Sequence, residues 1–342
     1  METYNVTCST DSKYTQHCMA MLCSLFDTNR NNHFHIHLLH HLLPEEHRNL
    51  IKGLCERYGE EITFYDINEE KLGNVIINHE HLSISTYYRL LLPSLLKEDI
   101  HRILYLDCDV LVCRDISGLF RLDMDDYGVA AVCDYSPYLD FQRRIVGIGL
   151  EDKMFCAGVM LINMDYWRKN DCQAGMLDFI CRTGKNLLME DQDVLNHEFR
   201  RHWLQLPYKY GKSTMSVAVL NDRQRDFDIQ EYVEKPVIYH FASVKPWLDI
   251  KIPESKYYWK YVRLSGFPNP VEEKATAERK RYVKILKARY YINFYIRPFI
   301  PNLIEIILID IADILLLFYH LLFCRSKFKM YHVRRWLRKY NY

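Results

Sequence analysis

The 342-residue chain is poor in glycine, with 12 in all, and holds neither a Gly-x-Gly-x-x-Gly turn nor a Gly-x-x-x-x-Gly-Lys loop. Backbone cradles for dinucleotides and triphosphates depend on those glycines, so a phosphate held here needs a cation instead. Cys-x-x-Cys is missing among the 11 cysteines, which removes the usual structural zinc framework. An odd cysteine count without repeated spacing is also unlike a secreted disulfide scaffold. The first residues, Met1-Glu2-Thr3-Tyr4-Asn5-Val6, show no charged start followed by an apolar stretch. No signal peptide is therefore expected, and the expected compartment is reducing and cytoplasmic. Basic charge is scarce before residue 279, where 31 Lys/Arg stand against 41 Asp/Glu; residues 279–342 carry 14 against 3. The acidic body does not suit nucleic acid, whereas the basic tail suits an anionic surface.

What is present is a large apolar fraction, 49%, enough for a sizeable core. Strand-like runs at 4–8, 34–39, 61–65 and 103–106 alternate with helix-like runs at 14–26, 45–57 and 86–92. That alternation predicts an α/β fold with a mostly parallel sheet, and 129–133, 155–163 and 237–241 read as further strands. In such sheets ligands sit beyond the carboxyl ends of the strands. Asp11 follows the first strand there, and Asp107-Cys108-Asp109 follows the fourth. Carboxylates at the end of a buried strand are costly without a positive partner. Two of them at i, i+2 on an extended chain point the same way and can share one hard divalent ion that also holds a phosphate. The alternative is a strand end with one solvated and one capping aspartate. His33, His35 and His37 alternate with Phe34, Ile36 and Leu38 as in a strand with one apolar face, so no metal is expected there or at His40, His41 and His47.

Six blocks in order carry a resemblance. They are Thr10-Asp11 through Tyr14; Ser83-Ile84-Ser85-Thr86-Tyr87-Tyr88-Arg89-Leu90; Tyr105-Leu106-Asp107-Cys108-Asp109-Val110-Leu111-Val112; Phe155-Cys156-Ala157-Gly158-Val159-Met160-Leu161-Ile162-Asn163; Glu190-Asp191-Gln192-Asp193-Val194-Leu195-Asn196; and His240-Phe241-Ala242-Ser243-Val244-Lys245-Pro246-Trp247. Together they resemble the retaining family 8 glycosyltransferases of the GT-A fold, which include bacterial lipopolysaccharide glucosyl- and galactosyltransferases. The resemblance implies a mixed sheet flanked by helices over residues 1–250. Beyond it Pro253, Pro268 and Pro270 with Gly266 mark a connector at 251–278, and the change to basic charge marks a helical tail at 279–342. It implies Mn²⁺ or Mg²⁺ on Asp107, Asp109 and His240, with Lys245 and Ser243 at the donor diphosphate. Asp11 would accept a hydrogen bond from uracil, and Arg89 would contact the donor near Asp191. Asp191, Gln192 and Cys156 would line the donor sugar, with Gln192 as a stabiliser near the anomeric carbon. Asp134 and His81 would face the acceptor, and Asp134 would join Asp191 and Gln192 as a catalytic group. The implied reaction moves glucose or galactose from a UDP-sugar to a saccharide, such as lipopolysaccharide or another lipid-linked glycan. A self-glucosylating enzyme like glycogenin and a UDP-sugar-binding protein without transfer are the alternatives. Two positions depart from the family pattern: Cys156 stands where relatives usually carry asparagine, and the His240–Lys245 spacing is one residue shorter than in several relatives and lacks a glycine.

Residues 299–324 are long and apolar, but Glu305, Asp310 and Asp313 interrupt them. At ~100° per residue these acids, Asn302 and His320 fall in one arc. An amphipathic helix flanked by basic clusters is expected, lying on the inner face of an anionic membrane or packed against a partner.

Overall fold

The computed structural model describes residues 3–73, 75, 83–134, 140–149, 152–213, 235–242, 244–250 and 252–291. His81, Ser243 and the expected amphipathic helix at 299–324 lie outside the described residues. The chain opens with β1 (Thr3–Ser9), α1 (Thr15–Thr28), β2 (His33–His40), α2 (Glu45–Tyr58) and β3 (Glu61–Asp66). A 3-10 helix over Ile84–Leu91 runs into the short α3 (Leu92–Leu95), followed by β4 (Arg102–Leu106) and β5 (Val110–Val112). Next come β6 (Val129–Cys133), α4 (Asp140–Val146), β7 (Phe155–Asn163), α5 (Met164–Lys169), α6 (Cys172–Thr183), α7 (Glu190–Phe199) and β8 (Trp203–Leu206). β9 (Ile238–His240), α8 (Ser255–Ser265) and α9 (Ala277–Tyr291) complete the described elements.

Seven strands form one sheet in the order β3-β2-β1-β4-β7-β6-β8. The first four are mutually parallel, as the strand–helix alternation predicts. β7 alone is reversed, antiparallel to both β4 and β6, and β8 is again parallel to β6, so the sheet is mixed by one strand and mostly parallel, as expected. A uniformly apolar nine-residue run marks a buried strand but carries no signal for its direction. The predicted helix at 86–92 is a 3-10 helix for most of its length, which brings Thr86 and Arg89 three residues apart onto one face.

Burial explains the layers. α1 is buried at every position from Thr15 to Phe26, as befits a helix covered on all sides, and it packs against α8, β5 and α2. α2 by contrast buries only Ile51, Leu54 and Cys55. Its first turn carries Glu45 and Glu46, and Gly59 closes it at φ 76°, where a side chain would be strained. Within the span assigned above to a connector, Tyr258 of α8 bonds through its hydroxyl to Gln16 at 2.9 Å and to His17 at 2.6 Å. Contact clustering gives two compact units, one holding the described residues through Glu273 and the other beginning at Lys274 and holding α9. Among the described residues no helix is long and apolar enough to cross a membrane. The ten cysteines described are all free thiols.

Candidate active site

The site forms where β4 ends. Asp107, Cys108 and Asp109 are not an extended strand end: the Val110 amide bonds back to the Asp107 carbonyl at 3.3 Å, closing a tight turn into β5. The turn is pinned on one side by β7, through Asp107 N–H to the Gly158 carbonyl at 2.9 Å. On the other side β5 pairs antiparallel with β9, Val110 opposite His240. The chain reversal, not strand alternation, therefore brings the two carboxylates together with a histidine from 131 residues onward.

One oxygen of each aspartate and one ring nitrogen of His240 lie within 4.8 Å of one another, the one such group of three among the described residues. His240 Nε2 stands 3.3 Å from Asp109 Oδ1 and 3.9 Å from Asp107 Oδ2. Among the described residues Asp109 Oδ1 is buried and has no hydrogen-bond partner, so the approach of His240 is a charge contact. The other oxygen of Asp109 pairs with Lys245. Burial works against ionising Asp109, yet Lys245 and His240 overcome it and hold the carboxyl well below its ordinary range. Burial likewise disfavours a His240 cation, but Asp109 and then Cys156 hold it well above its usual value. A buried oxygen without a partner, two hard carboxylates and one imidazole fit a divalent cation. Gly158 makes the room: a Cβ there would stand 2.3 Å from His240 Cε1 and 2.8 Å from Asp107 Oδ2.

Arg89 lies beneath this group, with a side chain only 4% exposed. Its Nη2 donates to Asp107 Oδ1 at 2.9 Å, and its Nε is 3.1 Å from Asp191 Oδ2. Nη1 donates to the Ala157 carbonyl at 2.7 Å, and the guanidinium lies 3.8 Å above the Tyr105 ring. The Tyr105 hydroxyl in turn donates to Asp107 Oδ1 at 3.0 Å. A guanidinium so engaged cross-links two carboxylates and the sheet. Burial raises the Asp191 carboxyl to about 6, against the pull of Arg89 and of the Thr86 hydroxyl that donates to it.

α7 supplies the remaining polar groups. Asp193 Oδ2 accepts the Leu188 and Met189 amides at 2.8 and 3.0 Å, fixing the entry to the helix. Gln192 is held at both ends of its amide: the oxygen accepts Ala157 N–H at 3.0 Å, and the nitrogen donates to Asp134 Oδ2 at 2.8 Å. Asn196 ties the same helix to Phe155 of β7 through both its amide groups. Asp11 sits at the carboxyl end of β1, where its Oδ1 accepts the Lys13 and Tyr14 amides at 2.9 and 3.0 Å and starts α1. Lys245 is followed by Trp247, which stacks on His17 at 3.6 Å. Cys156 is half-buried, with Sγ 3.6 Å from His240 Nδ1. Asp107, Asp109, His240, Lys245, Arg89, Asp191, Gln192, Asp134 and Cys156 thus join one connected network. Thr86, Tyr105, Gly158, Asp193 and Asn196 belong to it as well; the sequence assigned them no role, although all five lie within the six ordered blocks.

A mixed sheet with an acidic turn at the end of its fourth strand is the arrangement of the GT-A fold. Residues 5–251 match the family described as Glycosyl transferase family 8. The chain belongs to that family. General stress protein A of Bacillus subtilis (strain 168) is 28% identical over 279 residues, spanning 78% of this chain and 96% of its own. A lipopolysaccharide 1,2-glucosyltransferase of Escherichia coli is 25% identical over 298 residues, spanning 86% and 88%. The galactosyltransferase LgtC, solved with donor and acceptor sugar analogs, shares the fold with a TM-score of 0.68 at 24% identity, over 78% of this chain and 97% of that one.

Proposed function

We propose that this glycosyltransferase is a metal-dependent, retaining hexosyltransferase that moves glucose or galactose from a UDP-sugar to a saccharide acceptor, lipopolysaccharide or another lipid-linked glycan. The observation that carries the reading is the grouping of Asp107, Asp109 and His240 around the partnerless Asp109 oxygen. These three side chains would hold Mn²⁺ or Mg²⁺; when bound, the ion neutralises the diphosphate leaving group as a Lewis acid.

In this reading Lys245 adds a point charge to the phosphates, and Ser243 also binds the donor. Asp11 accepts the uracil N–H. Asp191, ionised above about pH 6, accepts hydrogen bonds from the donor sugar's hydroxyls. Arg89 acts through Asp107 and Asp191, holding both carboxylates in place rather than reaching the donor itself. Gln192 stabilises charge near the anomeric carbon, and its fully engaged amide suits that role better than nucleophilic attack. Asp134, oriented by Gln192, faces the acceptor together with His81. The span 1–250 is the catalytic domain, and the basic segment 279–342 holds the enzyme on the anionic inner face of the plasma membrane.

A UDP-release screen tests the reading with UDP-glucose, UDP-galactose, UDP-N-acetylglucosamine and GDP-mannose, with and without Mn²⁺. Release from a UDP-hexose that needs the metal is expected. Full turnover in the presence of a chelator would overturn the mechanism.

A further inference from the structure

The nitrogen of His240 that faces the carboxylates is Nε2; the other, Nδ1, faces Cys156. An imidazole that offers its Nε2 lone pair to a cation carries its proton on Nδ1. That N–H is buried, because His240 is only 5% exposed, and a buried donor needs an acceptor. Among the described residues the hydrogen-bond partner of Nδ1 is the Cys156 sulfur at 3.6 Å. The ring has little freedom to turn elsewhere. Gly158 leaves no spare space beneath it, and the backbone on either side is fixed by His240 N–H to the Lys212 carbonyl and Phe241 N–H to the Asp109 carbonyl, at 2.8 and 2.9 Å.

We infer that Cys156 is a positioning residue for the metal centre: its sulfur accepts the Nδ1 proton of His240, fixes the tautomer and aims Nε2 between Asp107 and Asp109. The inference rests on the metal reading given above. It changes the expectation for this position, which is drawn from contact with the donor sugar to support of a metal ligand. Groups that fix a ligating histidine from behind typically account for ~10–100-fold in metal affinity. A thiol is a weak acceptor, so the lower end of that range applies.

The test is Mn²⁺ titration of the full chain with UDP, read by electron paramagnetic resonance, on the wild type, Cys156→Ala and Cys156→Asn. Cys156→Ala is expected to weaken Mn²⁺ binding about tenfold, with the Mn²⁺ requirement for turnover rising by more than kcat falls. Cys156→Asn places an amide oxygen in reach of the same N–H and should restore binding to within about threefold. An unchanged Mn²⁺ affinity in Cys156→Ala, with the loss confined to the KM for the sugar nucleotide, would overturn the inference and return Cys156 to the donor sugar. Asp109→Ala separates the two readings. If the wild type binds Mn²⁺ no better than Asp109→Ala, the metal centre itself fails. Nitrogen-15 histidine spectra of the metal-free protein then judge Cys156 alone. A hydrogen-bonded His240 Nδ1 proton in the wild type that disappears in Cys156→Ala supports the contact; the same spectrum in both overturns it.

Discussion

β2 carries four histidines and β9 carries one, and the single histidine is the one at the centre of the site. His37 on β2 is as buried as any core residue, with Nδ1 3.0 Å from the Tyr65 hydroxyl and Nε2 3.0 Å from Asn5 Oδ1. Burial, aided by His35 and Lys97, pushes its pKa down to about 3. His240 is equally enclosed and moves the opposite way. Desolvation disfavours the cation at both positions. What reverses the sign is the company: neutral hydroxyl and amide partners for His37, the Asp109 carboxylate at 3.3 Å and then Cys156 for His240. A run of histidines in a strand is thus a packing pattern, and a lone histidine opposite an acidic turn is chemistry.

The largest expected effect comes from removing that company. Asp109→Ala should lower Mn²⁺-dependent turnover by at least about 1,000-fold, while His37→Ala should leave turnover with saturating substrates within about threefold; equal losses in a UDP-release assay would erase the contrast. Arg89→Met leaves the buried Asp191 and the half-buried Asp107 without their shared partner. Denaturant unfolding should show a loss of about 3–5 kcal/mol, and a loss under 1 kcal/mol would mean the carboxylates do not depend on it. Gly158→Ala drives a methyl into His240, so Mn²⁺ affinity should fall about tenfold or more with the fold kept; unchanged calorimetric binding would contradict the close approach.

The smallest effect concerns pH. His37 has a folded value near 3 against an ordinary 6.5, so the folded state prefers the neutral ring. Its contribution to stability is complete above pH 6.5 and is lost progressively as pH falls from there toward 3. His37→Gln removes this titration, and its melting temperature should drop less than that of the wild type between pH 7 and 5. A parallel decline in both proteins would show that His37 does not carry the acid sensitivity.

Much of this was legible in the residues. The βαβ alternation through β4 is local, since each element needs only its own period and its flanking turn residues. The Asp107–Asp109 pair and His240 were legible through their neighbours, Tyr-Leu-Asp-Cys-Asp and Lys-Pro-Trp, because such residues are costly unless they serve one ion. Arg89 was marked through the resemblance, which set it near Asp191. Its bond to Asp107 was not, because an ion pair between residues 89 and 107 has no sequence period. The direction of β7 and the stacking of Trp247 on His17 were hidden for the same reason.

The sequence by itself determined which side chains could do chemistry: an acidic turn after a strand, an acidic and amide cluster on a helix, and a histidine followed by a lysine. Tertiary structure decided how they meet. The tight turn at Val110, the glycine at 158 and the antiparallel pairing of β5 with β9 converge on a space smaller than a side chain. Distances of 3–4 Å between groups more than a hundred residues apart are set only when the whole sheet packs, because no local interaction along the chain reports on them.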